Sequence, residues 1–365
     1  MKILIDIGHP AHVHLFKNFA RIMQSRGHLI HFTIRKKEFE AELLKHEGFS
    51  YTNLGRHYRS KWGKISGLIR YNLKVLRISL CFKPDIFLSH GSLYNLIASR
   101  LLRRPNLVFE DTGNREQVML YLPFATAVFT SSGFPFKYGR KQFLYDGYHE
   151  LAYLHPNQFK PGEGVLKELG VSEGERLFIL RFVSWDATHD KKQKGLTPDL
   201  KRELINLLSA AGKVFISSEA PLPPDFNVFR FPLQPEKMHH ALAYASLYIG
   251  EGLTMASEAA ILGTRAVCIN DPHPVYSDLE ETYRLICYIP SGKGVLDKVA
   301  EMIADEKLKT KAIADSSTML KEKIDVTAFM VWLVENYPDS VKVMQTNPEY
   351  QKKFKDWLSG DTNQA

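Results

Sequence analysis

Three histidines stand within six residues near the start of the chain, in DIGHPAHVHLFKNF (residues 6–19). Two histidines that are two positions apart on a strand point the same way and can share a metal ion. Here Gly8 and Pro10 end the strand, and on the helix that follows such side chains diverge by roughly 200°. We therefore predict no metal site from His12 and His14. His12, at a helix N-terminus, is interpreted as a hydrogen-bond donor to a phosphate or as a general acid or base. A merely structural role is the alternative.

The most specific chemical signal is the turn in YIGEGLTMASEAAILGTRAV (residues 248–267). An apolar strand ends at Gly250, and a helix starts near Leu253 or Thr254. A helix N-terminus after a glycine-containing turn offers free N–H groups and partial positive charge to a phosphate. Glu258, one turn into the helix, could accept two ribose hydroxyls. The candidate phosphate- and ribose-binding residues of this turn are Glu251, Gly252, Thr254, Ser257 and Glu258. The alternative is an ordinary turn whose glycines serve packing.

A second signal is an arginine inside an apolar strand, Arg181 in FILRFVS. An unpaired charge is costly there, so we expect an anionic partner, either a ligand or an internal acid such as Glu251. The basic loop after this strand contains His189 and could close over a diphosphate.

Two further strand ends carry polar side chains, SHGSLYN (residues 89–95) and VFEDTGNRE (residues 108–116). Ligands bind at the carboxyl ends of strands in parallel sheets, so we expect these side chains to face the site. The residues concerned are His90, Ser92, Glu110 and Asp111. Glu110 is our candidate general base, although acidic residues at strand ends also cap helices.

The segment from Arg56 to Lys83 has eight basic residues and no acidic one, interleaved with apolar side chains. Such a stretch can bind an anionic membrane surface, a nucleic acid or an anionic substrate. The candidate contacts with a membrane or an anionic substrate are Arg59, Lys61, Trp62 and Lys64. The alternative is a solvated helix with its apolar stripe in the core. Because no nucleic-acid recognition motif accompanies the run, we predict no nucleic-acid partner.

Buried strands must alternate with helices to place these groups. Runs such as KILIDIG, DIFLSHG and LFILRFVS have consecutive Ile, Leu, Val and Phe residues in place of strict alternation with polar ones, which indicates parallel strands covered on both faces. The length of 365 residues and a Pro- and Gly-containing linker at 155–164 predict two domains. We predict an α/β protein with two doubly wound sheets facing a cleft. The predicted divisions are residues 1–155, residues 165–335, and a helical segment 336–365 that packs back on the N-terminal domain.

The amino-acid composition bears on where in the cell the protein is located. The three cysteines form no CxxC pair, which fits a reducing compartment, and Asp6 interrupts the first apolar run, which argues against a signal peptide. The net charge is +8. We predict a cytoplasmic protein with peripheral contact at the inner face of the membrane as an option.

Four stretches together resemble a known family, domain of unknown function 354 of the GT-B superfamily. They are GHPAHVHLFKNFARIMQSRGH, SHGSLYNLIASRLLRRPNLVFEDT, YDGYHELAYLHP and MHHALAYASLYIGEGLTMASEAAILGT. The superfamily includes the lipid-linked N-acetylglucosaminyltransferase of peptidoglycan synthesis and the UDP-N-acetylglucosamine 2-epimerase. The resemblance implies a UDP-sugar held mainly by the C-terminal domain, with no metal or other cofactor. It implies that Gly252, Thr254 and Ser257 meet the diphosphate and that Glu258 meets the ribose.

The resemblance also bears on the other half of the chain. It implies that His12 lies beside the sugar and acceptor and that Glu110 matches a carboxylate of the epimerase, which has an aspartate where this chain has Ser92. The leading hypothesis is a metal-independent glycosyltransferase that moves a sugar from a UDP-sugar to a polysaccharide or lipid-linked acceptor. The alternatives are a UDP-N-acetylglucosamine 2-epimerase-like enzyme and a non-catalytic nucleotide-sugar-binding protein.

Overall fold

A computed structural model describes residues 1–36, 39–56, 61–183, 195–218 and 221–355. The chain forms two compact units. Unit 1 contains Met1–Tyr153 and the chain from Ile324 onward, and unit 2 is Leu154–Lys323. Among the described helices, none combines the length and apolar character that crossing a membrane requires.

Unit 1 is built on a seven-stranded sheet in the order β3-β2-β1-β4-β5-β6-β7. All its neighbouring strands are parallel. The strands are β1 (Lys2–Ile7), β2 (Leu29–Lys36), β3 (Tyr51–Arg56), β4 (Ile86–His90), β5 (Asn106–Glu110), β6 (Ala127–Ser131) and β7 (Gln142–Tyr145). Every residue of β4, β5 and β6 is buried, because helices cover both faces of the sheet. The strand order reverses between β1 and β4, so the expected ligand position is the carboxyl edge at these two strands.

The helices of the first segment of unit 1 connect these strands. They are α1 (Pro10–Ser25), α2 (Glu40–His46), α3 (Lys61–Phe82), α4 (Leu96–Leu101), α5 (Arg115–Tyr121) and α6 (Leu151–Leu154), the last of which reaches the boundary of the unit. Helix α1 starts directly after the first strand because Pro10 suits the first turn and the side chain of His9 accepts a hydrogen bond from the backbone N–H of Ala11.

Unit 2 has a five-stranded parallel sheet in the order β12-β11-β10-β8-β9. Its strands are β8 (Leu177–Phe182), β9 (Lys213–Ser218), β10 (Leu247–Gly250), β11 (Arg265–Cys268) and β12 (Ile286–Tyr288). Its helices are α7 (Gly164–Glu168), α8 (Pro198–Ser209), α9 (Met238–Tyr244), α10 (Leu253–Ile261), α11 (Ser277–Glu281), α12 (Val295–Ala304) and α13 (Leu308–Glu322). The order reverses between β8 and β10, which makes the ends of these two strands the corresponding ligand position.

The chain then returns to unit 1 with α14 (Val326–Glu335) and α15 (Asp339–Thr346). The Oγ1 of Thr327 donates a hydrogen bond to the carbonyl of Ala152 at 2.7 Å, and Phe329 packs against Phe129. This division falls after Lys323, between α13 and α14 and twelve residues before the boundary that we predicted at 335/336. Asp325 marks it in the sequence, since its side chain caps α14 by accepting a hydrogen bond from the N–H of Ala328. The predicted pair of doubly wound parallel sheets and the returning C-terminal helix are confirmed.

Candidate functional site

The carboxyl edge of the unit 1 sheet collects buried polar side chains. Asp6 near the end of β1 is fully buried, and three neighbours donate hydrogen bonds to its carboxylate. Thr33 donates to Oδ1 at 2.7 Å, while Arg35 and Ser92 donate to Oδ2 at 2.9 and 2.6 Å. A carboxylate with this many donors and a guanidinium is stable inside a protein.

The guanidinium of Arg35 lies between an aromatic ring and the turn that follows β1. Its central carbon is 4.1 Å from the centroid of the Tyr94 ring. A Cβ added to Gly8 would lie 2.4 Å from Nη2 of Arg35, so the glycine leaves room for the guanidinium against the backbone. Arg35 therefore brings positive charge to the turn from which α1 starts.

His12 stands on the first turn of α1 and is only partly exposed. The backbone N–H of Gly8 donates to its Nδ1 at 3.1 Å. Burial lowers the pKa of His12 well below its usual value, and the neighbouring His90 and His9 lower it further. A neutral imidazole has a single N–H, so with Nδ1 accepting, the proton is on Nε2. His12 is thus a neutral hydrogen-bond donor. Of the roles predicted for it, this state favours a donor over a general base.

Beside His12 lies a cluster that we call the histidine–aspartate cluster, formed by His90, Asp111 and His149. The ring centroids of His12 and His90 are 4.2 Å apart. Nε2 of His90 is 2.8 Å from Oδ1 of Asp111, and Nδ1 of His149 is 2.8 Å from Oδ2. Both imidazoles are buried, whereas 21% of the Asp111 side chain is exposed.

Electrostatic interactions within this cluster shift the pKa values of Asp111 and His90. Burial opposes ionisation of Asp111, but His149 and His90 outweigh it and hold the pKa of the carboxyl well below its usual value. Burial likewise opposes a charge on His90, but Asp111 outweighs it and raises the pKa of the imidazole. The Nε2 of His149 is buried and has no hydrogen-bond partner among the described residues.

Glu110, the candidate general base, is buried and engaged by its own neighbours. The N–H and Oγ1 of Thr112 both donate to Oε1, and the Tyr121 hydroxyl donates to Oε2 at 2.6 Å. The hydrogen bonds thus occupy both carboxylate oxygens. The adjacent Asp111 contacts the histidines instead, and the catalytic role of Glu110 stays a prediction.

In unit 2, two residues separate the end of β10 at Gly250 from the start of α10 at Leu253, as the turn predicts. A Cβ on Gly250 would lie 2.1 Å from the Tyr248 hydroxyl, so no larger residue fits there. Gly252 is the N-cap and provides no side-chain cap. Thr254 is exposed on the first turn, whereas Ser257 is fully buried and its Oγ donates to the Thr254 carbonyl at 2.8 Å.

The remaining charged residues of this region have protein partners. Oε1 of Glu258 is 3.1 Å from Nε2 of His239. Glu251 is fully buried, and its carboxylate accepts hydrogen bonds from the N–H groups of Val183 and Leu196. Glu251 thereby fixes the residues on either side of segment 184–194.

Arg181 remains at the end of β8, where its Nη1 donates to Ser217 Oγ at 2.6 Å. The candidates Arg59 and His189 lie outside the described residues, as do the side chains of Lys61, Trp62 and Lys64 in the first turn of α3. The structure therefore leaves the predicted roles of these five residues as predictions.

Sequence reasoning assigned no role to several residues of these two regions. They are Asp6, Arg35, His149 and His239. The sequence contains a signal that could have identified Asp6, since an acid within the apolar run ILIDIG requires a buried partner. No comparable signal identifies His149, because it stands far along the chain from Asp111 at the strand end that it contacts.

No protein-family profile matches the chain, and neither does any curated protein sequence. Solved structures do resemble it. The S. aureus MnaA structure with UDP has a TM-score of 0.65 at 11% identity and covers 93% of this chain and 98% of its own. The UDP-GlcNAc 2-epimerase from Neisseria meningitidis bound to UDP-GlcNAc has a TM-score of 0.60 at 13% identity, with coverage of 90% and 100%. The Streptomyces sp. SF2575 glycosyltransferase SsfS6 complexed with thymidine diphosphate has a TM-score of 0.58 at 14% identity, with coverage of 92% and 99%.

These similarities define the class of fold. The chain has two Rossmann-like domains with parallel sheets, the fold shared by GT-B glycosyltransferases and UDP-GlcNAc 2-epimerases. At such identities the comparison establishes the fold alone. Membership of the domain of unknown function 354 family stays a prediction.

Proposed function

We propose that the protein is a glycosyltransferase that binds a UDP-sugar through unit 2 and moves the sugar to a glycan or lipid-linked acceptor. The observation that carries the proposal is the turn between β10 and α10. It lies where the strand order of unit 2 reverses, and its helix begins at a glycine without a side-chain cap. Free N–H groups at such a point can hold a diphosphate without a metal ion.

The exposed residue Thr254 lies on the first turn of this helix, and its hydroxyl is proposed to contact the diphosphate. Glu258 lies one turn further along and is proposed to bind the ribose, with His239 holding its carboxylate. The neighbouring structures with bound UDP, UDP-GlcNAc and thymidine diphosphate support a nucleotide-diphosphate ligand in this fold.

Replacing Thr254 with aspartate tests the diphosphate site without harming the helix. A negative charge on the first turn stabilises α10 but repels a diphosphate. We expect UDP to bind the wild-type protein and to bind Thr254→Asp at least about tenfold more weakly in isothermal titration calorimetry. Thermal unfolding should occur at an equal or higher temperature in the variant.

Thr254→Val is the matched control, because it keeps the shape of the side chain and adds no charge. We expect it to change UDP affinity much less than the aspartate does. The absence of a binding signal for UDP, UDP-N-acetylglucosamine and thymidine diphosphate in the wild type would contradict the proposal. So would equal affinities in Thr254→Asp and the wild type.

Incubation with UDP-N-acetylglucosamine in deuterated water separates a transferase from its alternatives. A transferase releases UDP only when an acceptor is added, whereas an epimerase exchanges the C2 proton without one, which proton NMR detects. A binding protein does neither. Ser92, which by the resemblance stands where the epimerase has an aspartate, donates to the buried Asp6 carboxylate, and this counts against the epimerase alternative.

The acceptor is proposed to reach the protein at an anionic membrane surface, through helix α3. Its inner face contributes Tyr71 and Val75 to the core of unit 1, but its outer face keeps an apolar stripe in solvent. The exposed residues of the stripe are Ile65, Ile69, Leu73 and Leu80. Arg70, Lys74 and Arg77 flank this stripe, and the segment from Arg56 to Lys83 has no acidic residue. An apolar stripe with basic flanks matches an anionic lipid surface.

Replacing both Ile69 and Leu73 with serine tests this surface. These side chains are 58% and 54% exposed, so the change removes apolar contact with lipid and little of the core. We expect the wild type to sediment with phosphatidylglycerol vesicles, and the double variant to bind them at least about tenfold more weakly.

The matched control is the double variant Met119→Ser, Leu120→Ser on α5, where the side chains are 59% and 58% exposed. It should bind vesicles like the wild type. Equal binding to neutral phosphatidylcholine vesicles, or equal loss in both double variants, would contradict a specific surface on α3.

A further inference from the structure

We propose that the histidine–aspartate cluster of unit 1 is a binding site for a divalent transition-metal ion, with Zn²⁺ the foremost candidate. The proposal does not depend on the proposed function, and it concerns residues other than His12 and His14, for which the sequence predicts no metal site. One ligand atom from each of His90, Asp111 and His149 lies within 4.8 Å of the other two.

The ligand set suits such an ion. Two imidazole nitrogens and one carboxylate oxygen are a frequent set of protein ligands for zinc and for other ions that prefer nitrogen. A tetrahedral ion with bonds of about 2.0 Å holds its ligand atoms about 3.3 Å apart. The two nitrogen–oxygen distances here are 2.8 Å, so small side-chain rotations would admit an ion.

The surroundings also suit an ion. The three ligands come from separate parts of the sheet edge: the end of β4, the residue after β5, and the segment after β7. The partial exposure of Asp111 leaves an entry path and room for a water molecule as a fourth ligand.

The ring nitrogen of His149 that would bind the ion is Nδ1, which lies 2.8 Å from Oδ2 of Asp111. His12 is not counted among the ligands, because its Nδ1 already accepts from Gly8 and its Nε2 carries the proton.

Metal binding is best measured on protein without a histidine tag, stripped with a chelator and titrated with ZnCl₂ by calorimetry. We expect one ion per chain for the wild type. Asp111→Asn keeps the shape of the side chain but removes the charge, and we expect it to bind Zn²⁺ at least about 100-fold more weakly. His149→Ala should have a similar effect, and Co²⁺ bound to the wild type should give a visible absorption spectrum that both variants lack.

His31→Ala is the matched control, because His31 hydrogen-bonds Thr52 elsewhere in unit 1. It should bind Zn²⁺ like the wild type. Thermal unfolding without metal establishes that each variant is folded. Failure of the wild type to bind one ion, or undiminished binding by both Asp111→Asn and His149→Ala, would overturn the proposal and leave the cluster as a hydrogen-bond network. Since no nucleotide is present, neither outcome depends on sugar transfer.

Discussion

Replacement of Arg35 with methionine is expected to destabilise the protein by about 3–5 kcal/mol. The guanidinium is the positive partner of Asp6, whose side chain has no exposed surface. Methionine fills much of the same volume against Tyr94 but leaves a buried carboxylate without a counter-charge. Thr33 and Ser92 still donate to it, yet two neutral hydrogen bonds do not replace an ion pair. Urea unfolding followed by circular dichroism measures the change.

Two further variants separate the buried charge from other effects. Asp6→Asn in the Arg35→Met background removes the unpaired charge, so the double variant should recover a substantial part of the lost stability. Arg21→Met is the control on the surface, where the arginine is 54% exposed and pairs with Glu47. It should cost less than about 1 kcal/mol. Equal costs for Arg35→Met and Arg21→Met would refute the role assigned to the buried pair.

The fold could be predicted from the sequence because buried strands have a recognisable amino-acid composition. The runs that form β4, β5 and β6 each contain three consecutive apolar residues, IFL, LVF and AVF, which is typical of strands covered on both faces. The first residue of a helix was harder to predict, because individual side chains determine where a helix starts. The sequence places His12 at a helix N-terminus without giving the first helical residue, and α1 starts at Pro10, since His9 caps it and proline suits the first turn.

The site was only partly predictable, and Glu110 and Asp111 show why. Adjacent residues at a strand end point to opposite sides, so one of two neighbouring acids turns inward and the other outward. The sequence does not say which. The structure buries Glu110 against Tyr121 and directs Asp111 to His90 and His149. The identity of the histidines that meet Asp111 depends on the strand order, which a sequence pattern does not contain.

For His12 we expect replacement by alanine to lower kcat for sugar transfer by about 10²–10³-fold, as loss of a donor to a developing negative charge does. His12→Gln is the matched variant. Its side-chain amide can donate from the position of Nε2, so it should keep much of the activity. Steady-state kinetics with the UDP-sugar and acceptor identified in binding experiments measures both variants.

The pH dependence distinguishes a donor from a base. Burial, His90 and His9 hold the pKa of His12 well below 6.5, so the imidazole stays neutral as pH rises from 6.5 to 8. A neutral donor therefore predicts a kcat/KM for the wild type that His12 does not make pH-dependent in this range. A general base with an ordinary pKa predicts activity that falls as pH drops toward 6.5. An acidic limb near that pH in the wild type, absent from His12→Gln, would show that His12 removes the acceptor proton. A profile that is equal in the two proteins supports the donor, because the hydrogen bond from Gly8 leaves His12 a proton to give and no free lone pair to take one.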